Sequence, residues 1–237
     1  MRPAVVLLVL GPVLGLVASA GAAHAAAPAA APASTTSPSR PGRPTTLPVD
    51  RRKPYVHAPS GVAFPVNVGA FRRVNVYRLD EAGRDVTVGY ADPTLKIAAT
   101  VSVFPSRGVP AERHFPTIKR ELLRLHPKAA VTFEGAWTLR QAGREFTGHR
   151  AAYQYIGPLG GVDQDLTTEA YLLSLAANPA VAGAAEHFVN IRVTYPTVDA
   201  KAACLRIEGF TEWLKLPDAP RLPPTTRPGV TGPTGPR

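Results

Sequence analysis

Apolar and polar positions alternate along the middle of the chain with two different periods. Phe115, Ile118, Leu122 and Leu125 recur at helical spacing, and Glu112, Arg113, Lys119, Arg120, Glu121 and Arg124 fill the opposite face. This pattern predicts a helix over 110–125, with Pro110 and Pro116 in its early turns and Pro127 ending it. A second helix is expected after Thr197, a suitable N-cap, with Asp199 in the first turn where the helix dipole favours an acid. Its apolar stripe is Ala203, Ile207, Phe210 and Leu214, and Pro217 stops it. Period-two alternation marks strands at 73–79, 85–90, 96–104, 130–140, 145–156, 167–175 and 187–195. Glu81-Ala82-Gly83 and Ala142-Gly143 read as hairpin turns between neighbours. The order is βββ-α-ββββ-α. Short turns between successive strands imply antiparallel pairing, so the expectation is an α+β fold. Its antiparallel sheet would have six to seven strands covered by two amphipathic helices.

Composition divides the chain around this unit. All 17 aromatic residues fall between Tyr55 and Trp213, whereas 15 of the 26 prolines lie in residues 1–53 and 217–237. Aromatic side chains dominate the area a core can bury, and proline-rich chain without them cannot offset its ordering entropy. The folded unit is therefore expected at 54–216. Before it lies an Ala/Pro/Ser/Thr-rich linker at 26–53, and after it a Pro/Gly/Thr-rich tail at 217–237. The formal net charge of +10 follows the same division: +5 belongs to residues 1–53, +3 to 54–216 and +2 to 217–237. Basicity alone would suggest nucleic acid, anionic lipid or an acidic polymer. Its location in the tails points instead to plain linker or a weak tether to anionic envelope polymers, and export, read from the N-terminus, removes the chain from nucleic acid.

The N-terminus supports that placement. Arg2 precedes an uncharged Val/Leu-rich run over 4–17, and the small-residue sites Ala18-Ser19-Ala20 and Ala23-His24-Ala25 follow. This is the order of a secretory signal peptide, taken as residues 1–25, with cleavage after Ala20 or Ala25. The apolar run extends almost to Ala23, so an uncleaved anchor is the alternative, although Gly11, Pro12 and Gly15 weaken such a helix. After cleavage no integral membrane segment is expected, and the destination is periplasmic or extracellular.

Candidate chemistry in the central unit is sparse. The single Cys excludes an intramolecular disulfide framework and Cys-rich metal or cluster sites. His57, His114, His126, His149 and His187 show no spacing that puts two imidazoles on one metal. Asp163, Asp165 and Glu169 could offer a cation three carboxylates but lack an EF-hand arrangement, and a solvated hairpin explains them. Ser60, Ser102, Ser106 and Ser174 carry no activation signature, and Cys204 falls on or beside the apolar stripe of the last helix. Gly157 to Gly161 forms a turn rather than a phosphate or dinucleotide loop. No cofactor or metal is implied. The most unusual feature is Arg72-Arg73 with Arg78 on one strand and Arg192 on a late one. Together these could bind a carboxylate or phosphate, or else pair with Asp80, Asp85 or Glu186 at the sheet edge.

Two stretches carry a resemblance. Residues 55–104 (YVHAPSGVAFPVNVGAFRRVNVYRLDEAGRDVTVGY, then IAATVSVF) resemble the opening of a family of small exported bacterial proteins of unassigned function. That family shows "sG..FP..vg.F.R" and a "vsvgY" strand. HFVNIRVTYP at 187–196 is similar to its "FvKiRvTyP" strand before the last helix. The element order also resembles the sandwich of the photosystem accessory protein PsbP. The resemblance implies a soluble exported domain that binds or assists, and it supplies no catalytic residues. The leading expectation is thus a non-enzymatic accessory or binding domain of the envelope, with an unknown protein or anionic envelope component as partner. One alternative is a small hydrolase pairing Glu145 or Glu169 with His149. The other is a structural, self-associating envelope component.

Overall fold

The computed structural model describes residues 44–217 apart from 142, 179, 182 and 215. The expected signal peptide, most of the expected linker and the tail beyond Pro217 lie outside the described residues. Four short strands come first: β1 (Thr45–Thr46), β2 (Tyr55–His57), β3 (Val62–Phe64) and β4 (Asn67–Val68). The long elements follow as β5 (Phe71–Arg78), β6 (Val86–Asp92), β7 (Ile97–Pro105), α1 (Ala111–Leu125), β8 (Ala130–Gln141), β9 (Arg144–Leu159), β10 (Val162–Leu175) and β11 (His187–Pro196). A single 3-10 turn at Thr197–Asp199 leads into α2 (Ala200–Trp213).

The main sheet has nine strands in the order β1-β5-β6-β7-β11-β10-β9-β8, with β4 also pairing to β5, and β2 and β3 form a separate hairpin. Every pairing is antiparallel. Two meanders, β5-β6-β7 and β8-β9-β10-β11, are thus sewn together at the β7–β11 pair, and α1 carries the chain from the middle of the sheet to its far edge. The β9–β10 hairpin is longer than its alternation suggests. It closes on Gly160-Gly161, whose φ angles of +65° and +84° suit the tight two-residue turn that side-chain-bearing residues resist.

Alternation assigns each strand residue to one face. On one face Val88, Val101, Val103, Tyr171, Leu173, Val189, Ile191 and Val193 pack against Ala203, Ile207, Phe210 and Leu214 of α2, with Val62 and Phe64 of the small hairpin beside them. On the other, Ala151, Tyr153, Ala170, Leu172 and Phe188 pack against Ala111, Phe115 and Leu122 of α1. Residues 166–173 of β10 are buried without interruption because this strand is covered from both sides.

These observations correct the expected fold class. Strand accounts for 51% and helix for 18% of the described residues, so the unit is mostly antiparallel sheet. It is not an α+β sandwich of six to seven strands roofed by two helices. The helices lie on opposite faces, and the β5-β6-β7 half of the α1 face presents half-buried Asn75, Thr87, Thr100 and Ser102 without a helix over them. An amphipathic stripe shows that a helix needs a sheet, but not which side of it.

The folded unit also begins earlier than composition implies. Thr45 and Thr46 pair with Arg78 and Tyr77, the Leu47 amide donates to Val76 O at 2.9 Å, and Leu47 and Val49 pack on the core. The segment 45–53, expected as linker, therefore lies along the sheet.

One close approach gives a mutational test of the β9–β10 register. A Cβ on buried Gly148 would stand 2.2 Å from the Leu172 carbonyl oxygen, whereas at Gly157 the nearest atom is the movable Tyr155 ring at 2.9 Å. Gly148→Ala should cost about 1–3 kcal/mol in urea unfolding because two paired backbones must separate. Gly157→Ala should cost less. Equal costs would contradict this register.

Candidate functional site

The four arginines singled out in the sequence do not converge. Neighbours on a strand point to opposite sides, and Arg73 (opposite Tyr90) and Arg78 (opposite Val86) fall on the α2 face. Arg72 (opposite Ala91) and Arg192 (opposite Thr100) fall on the α1 face. Arg72 is exposed. Arg73 is buried, and its guanidinium donates to three main-chain carbonyls: Phe64 O at 2.7 Å, Asp50 O at 2.8 Å and Lys53 O at 2.8 Å. Its donors tie the leading segment and the β2–β3 hairpin to the sheet.

Arg192 opens on a cleft. β11 supplies Asn190 and Arg192, β10 supplies Ala170, and α1 closes over them with Ile118, Glu121, Leu122 and Leu125 around about 40 Å³ of space. That volume admits a few atoms of water size, and so the polar end of a ligand rather than a whole cofactor. Among the described residues the Arg192 guanidinium makes no hydrogen bond and no ion pair. Burial lowers its pKa, against the opposing pull of Tyr155 and Glu121. Asn190 Oδ1 is buried and equally unpartnered among the described residues. His126, at the end of α1, stacks on Tyr155 at 3.9 Å, and burial together with Arg192 lowers its pKa, favouring the neutral ring. The cleft therefore offers one forked cationic donor and two acceptors, Asn190 Oδ1 and the exposed Glu121 carboxylate. No nucleophile and no carboxylate pair lines it.

The opposite face holds a cluster that the sequence reading did not assemble. Glu169 is 1% exposed. Its Oε1 accepts from Tyr195 Oη at 2.7 Å, and its Oε2 accepts from Tyr171 Oη and from Arg150 Nε (2.9 Å) and Nη2 (2.8 Å). Burial, then Glu169, raise the Tyr171 phenol, and burial with the Glu169 bond raises that of Tyr195. Burial would lower Arg150, but Tyr171 and Glu169 outweigh it and raise its pKa. The guanidinium also lies 5.0 Å from the Phe133 ring centre and 5.6 Å from that of Tyr171. The signal was available: in TEAYLLSL of β10, Glu169 shares parity with Tyr171 and Leu173, which puts a carboxylate among inward residues.

This placement separates Glu169 from the groups it was considered with. His149 faces α1, stacked on Phe115 at 5.4 Å, so the sheet lies between that imidazole and the Glu169 carboxylate. Glu145 shares the His149 face but stands four strand residues away, about 13 Å, in an exposed ion pair with Arg140 at 3.4 Å. Neither acid meets His149. Asp163 and Asp165 are exposed on the extended start of β10, and among the described residues no group of three His, Cys, Asp or Glu could hold a metal. Cys204 is exposed on α2 rather than within its apolar stripe, and burial followed by Glu169 raises its thiol.

One Ser–His pair exists that spacing did not reveal. Ser60 Oγ donates to His57 Nδ1 at 2.7 Å, while Nε2–H donates to Gly83 O at 3.0 Å. Burial lowers the His57 pKa and favours the neutral ring this arrangement needs. Both residues are 1% exposed, so no substrate reaches the hydroxyl, and the pair fastens β2 to the β5–β6 turn. No helix among the described residues is long and apolar enough to cross a membrane. Compared with known proteins, the chain matches no family model and no curated sequence.

Proposed function

We propose that this chain is an exported, non-enzymatic binding domain that holds a carboxylate-bearing ligand at Arg192. The export reading rests on the order of Arg2, apolar run and small-residue sites at the N-terminus, and it places the domain in the periplasm or outside the cell. The observation that carries the binding reading is the Arg192 guanidinium, open to a cleft and without a hydrogen bond among the described residues. Arginine presents parallel N–H donors that match a carboxylate. Glu121 and Asn190 Oδ1, both acceptors, favour a donor beside that carboxylate. The ligand end that fits is a carboxylate flanked by an ammonium or hydroxyl group, as on an amino acid or 2-hydroxy acid.

Alanine, lactate, acetate and inorganic phosphate test this as NMR probes. Alanine or lactate should shift the Arg192 Nε–H and Asn190 side-chain signals more strongly than acetate or phosphate. Arg192→Gln should weaken that binding by about tenfold or more with the fold retained, since the arginine holds no structural bond. Equal responses to all four probes, or binding indifferent to Arg192→Gln, would overturn the assignment.

A further inference from the structure

The far edge of the main sheet is formed by β8, and its outer side pairs with no strand among the described residues. Twelve residues long, β8 contains neither proline nor lysine, two of the usual guards of an exposed edge. It also carries exposed Val131 and Phe133, at 50% and 44%. Its register with β9 fixes which backbone groups are free. Gln141 pairs with Arg144 across a two-residue turn, which makes the odd-numbered positions the hydrogen-bonded ones. The even positions Glu134, Ala136, Thr138 and Arg140 therefore turn their N–H and C=O groups outward.

We infer that β8 pairs antiparallel with β8 of a second copy about a two-fold axis at Trp137. Charge selects this axis. A two-fold axis through Trp137, and through no other residue of the strand, sets Glu134 opposite Arg140 of the partner subunit, and it does so twice by symmetry. Both side chains lie on the α1 face, where Glu134 already meets Lys119 at 2.6 Å and Arg140 meets Glu145 at 3.4 Å. Pairing joins these into a string of alternating charges, Lys119–Glu134 followed by Arg140 and Glu145 of the partner subunit. On the opposite face the two Trp137 residues become a non-hydrogen-bonded pair, the closer kind, beside the Tyr171 rings they already contact at 4.6 Å. The register irregularity between Val131 and Phe133 limits the ladder at one end. The binding of Gln141 to the end of α2, through Glu212 O at 2.8 Å, limits it at the other.

Light scattering and sedimentation of the purified chain test this. The native chain should have a dimer's mass. Glu134→Arg and Arg140→Glu should each raise the dimer dissociation constant by about tenfold or more, because each sets like charges opposite one another twice. An equimolar mixture of the two variants should recover the dimer, since every cross-strand pair is then opposite in sign. Thr138→Pro removes an outward N–H without touching the β8–β9 bonds and should give a folded monomer by circular dichroism. It decides the matter should either charge variant fail to fold. A native monomer at all concentrations, single variants or Thr138→Pro that dimerise like the native chain, or a mixture that stays monomeric would each overturn the pairing.

Discussion

Glu169→Ala is expected to destabilise the domain by about 3–5 kcal/mol, the usual cost of breaking a buried ion pair by removing one partner. Four donor contacts converge on that carboxylate, from Tyr171, Tyr195 and two nitrogens of Arg150. Without it, the two phenols lose their acceptor in the core, and the guanidinium is left against Phe133 and Tyr171 without its counter-charge. Arg150→Ala should cost less. The Arg150 side chain is 32% exposed, and the carboxylate it leaves still accepts from both tyrosines. Glu169→Gln should fall between, since the amide retains an acceptor for one phenol but turns a donor toward Arg150. Urea midpoints at constant m-value measure all three. If Arg150→Ala proved the most damaging, the cluster would depend on the packing of the arginine stem rather than on the carboxylate.

Arg73→Ala should be the next most costly change, at about 3 kcal/mol or more, because three carbonyls lose a charged donor together. The loss should be local before it is global. Asp50 and Lys53 are held by this side chain, so the leading segment should loosen first. Hydrogen exchange at the Leu47 amide, bonded to Val76 O at 2.9 Å, reads this directly and should accelerate well beyond amides of β10. Arg73→Lys should rescue little, since one ammonium cannot reproduce a fork spread over three acceptors. Unchanged Leu47 exchange in Arg73→Ala would mean that Leu47 and Val49 hold the segment by packing alone.

Local signals in the chain give most of the long elements, because a strand or helix writes its period into consecutive residues. The run from Phe115 to Leu125 predicts α1, and the alternation at 187–195 predicts β11. What escapes is set by distant parts of the chain. The β7–β11 pair joins residues 98–105 to 187–194, and no local period announces it. The side on which each helix docks depends on its connection, and the share of the chain taken by one large antiparallel sheet depends on which strands meet, so the α+β expectation does not hold. The segment at 45–53 has only Leu47 and Val49 to mark it as core, and its chief anchor is an arginine bonded to carbonyls, which any sequence possesses. The proposed site is only partly legible in the sequence. Arg192 could be nominated, but adjacency of Arg72 and Arg73 suggests a shared purpose that strand geometry forbids.

The strand at the centre of the sheet, between β7 and β10, is β11, the last one made. A chain that emerges N-terminus first must therefore hold β7 open along its inner edge until about residue 196 has appeared. Both meanders then stand as half-sheets with an uncovered seam, and α2, which roofs that seam, comes later still. Such late, long-range closure predisposes a chain to slow folding and to capture by other open edges on the way. The final thirty or so described residues thus act as the clasp of the domain: without them the preceding elements have hairpins but no closed core.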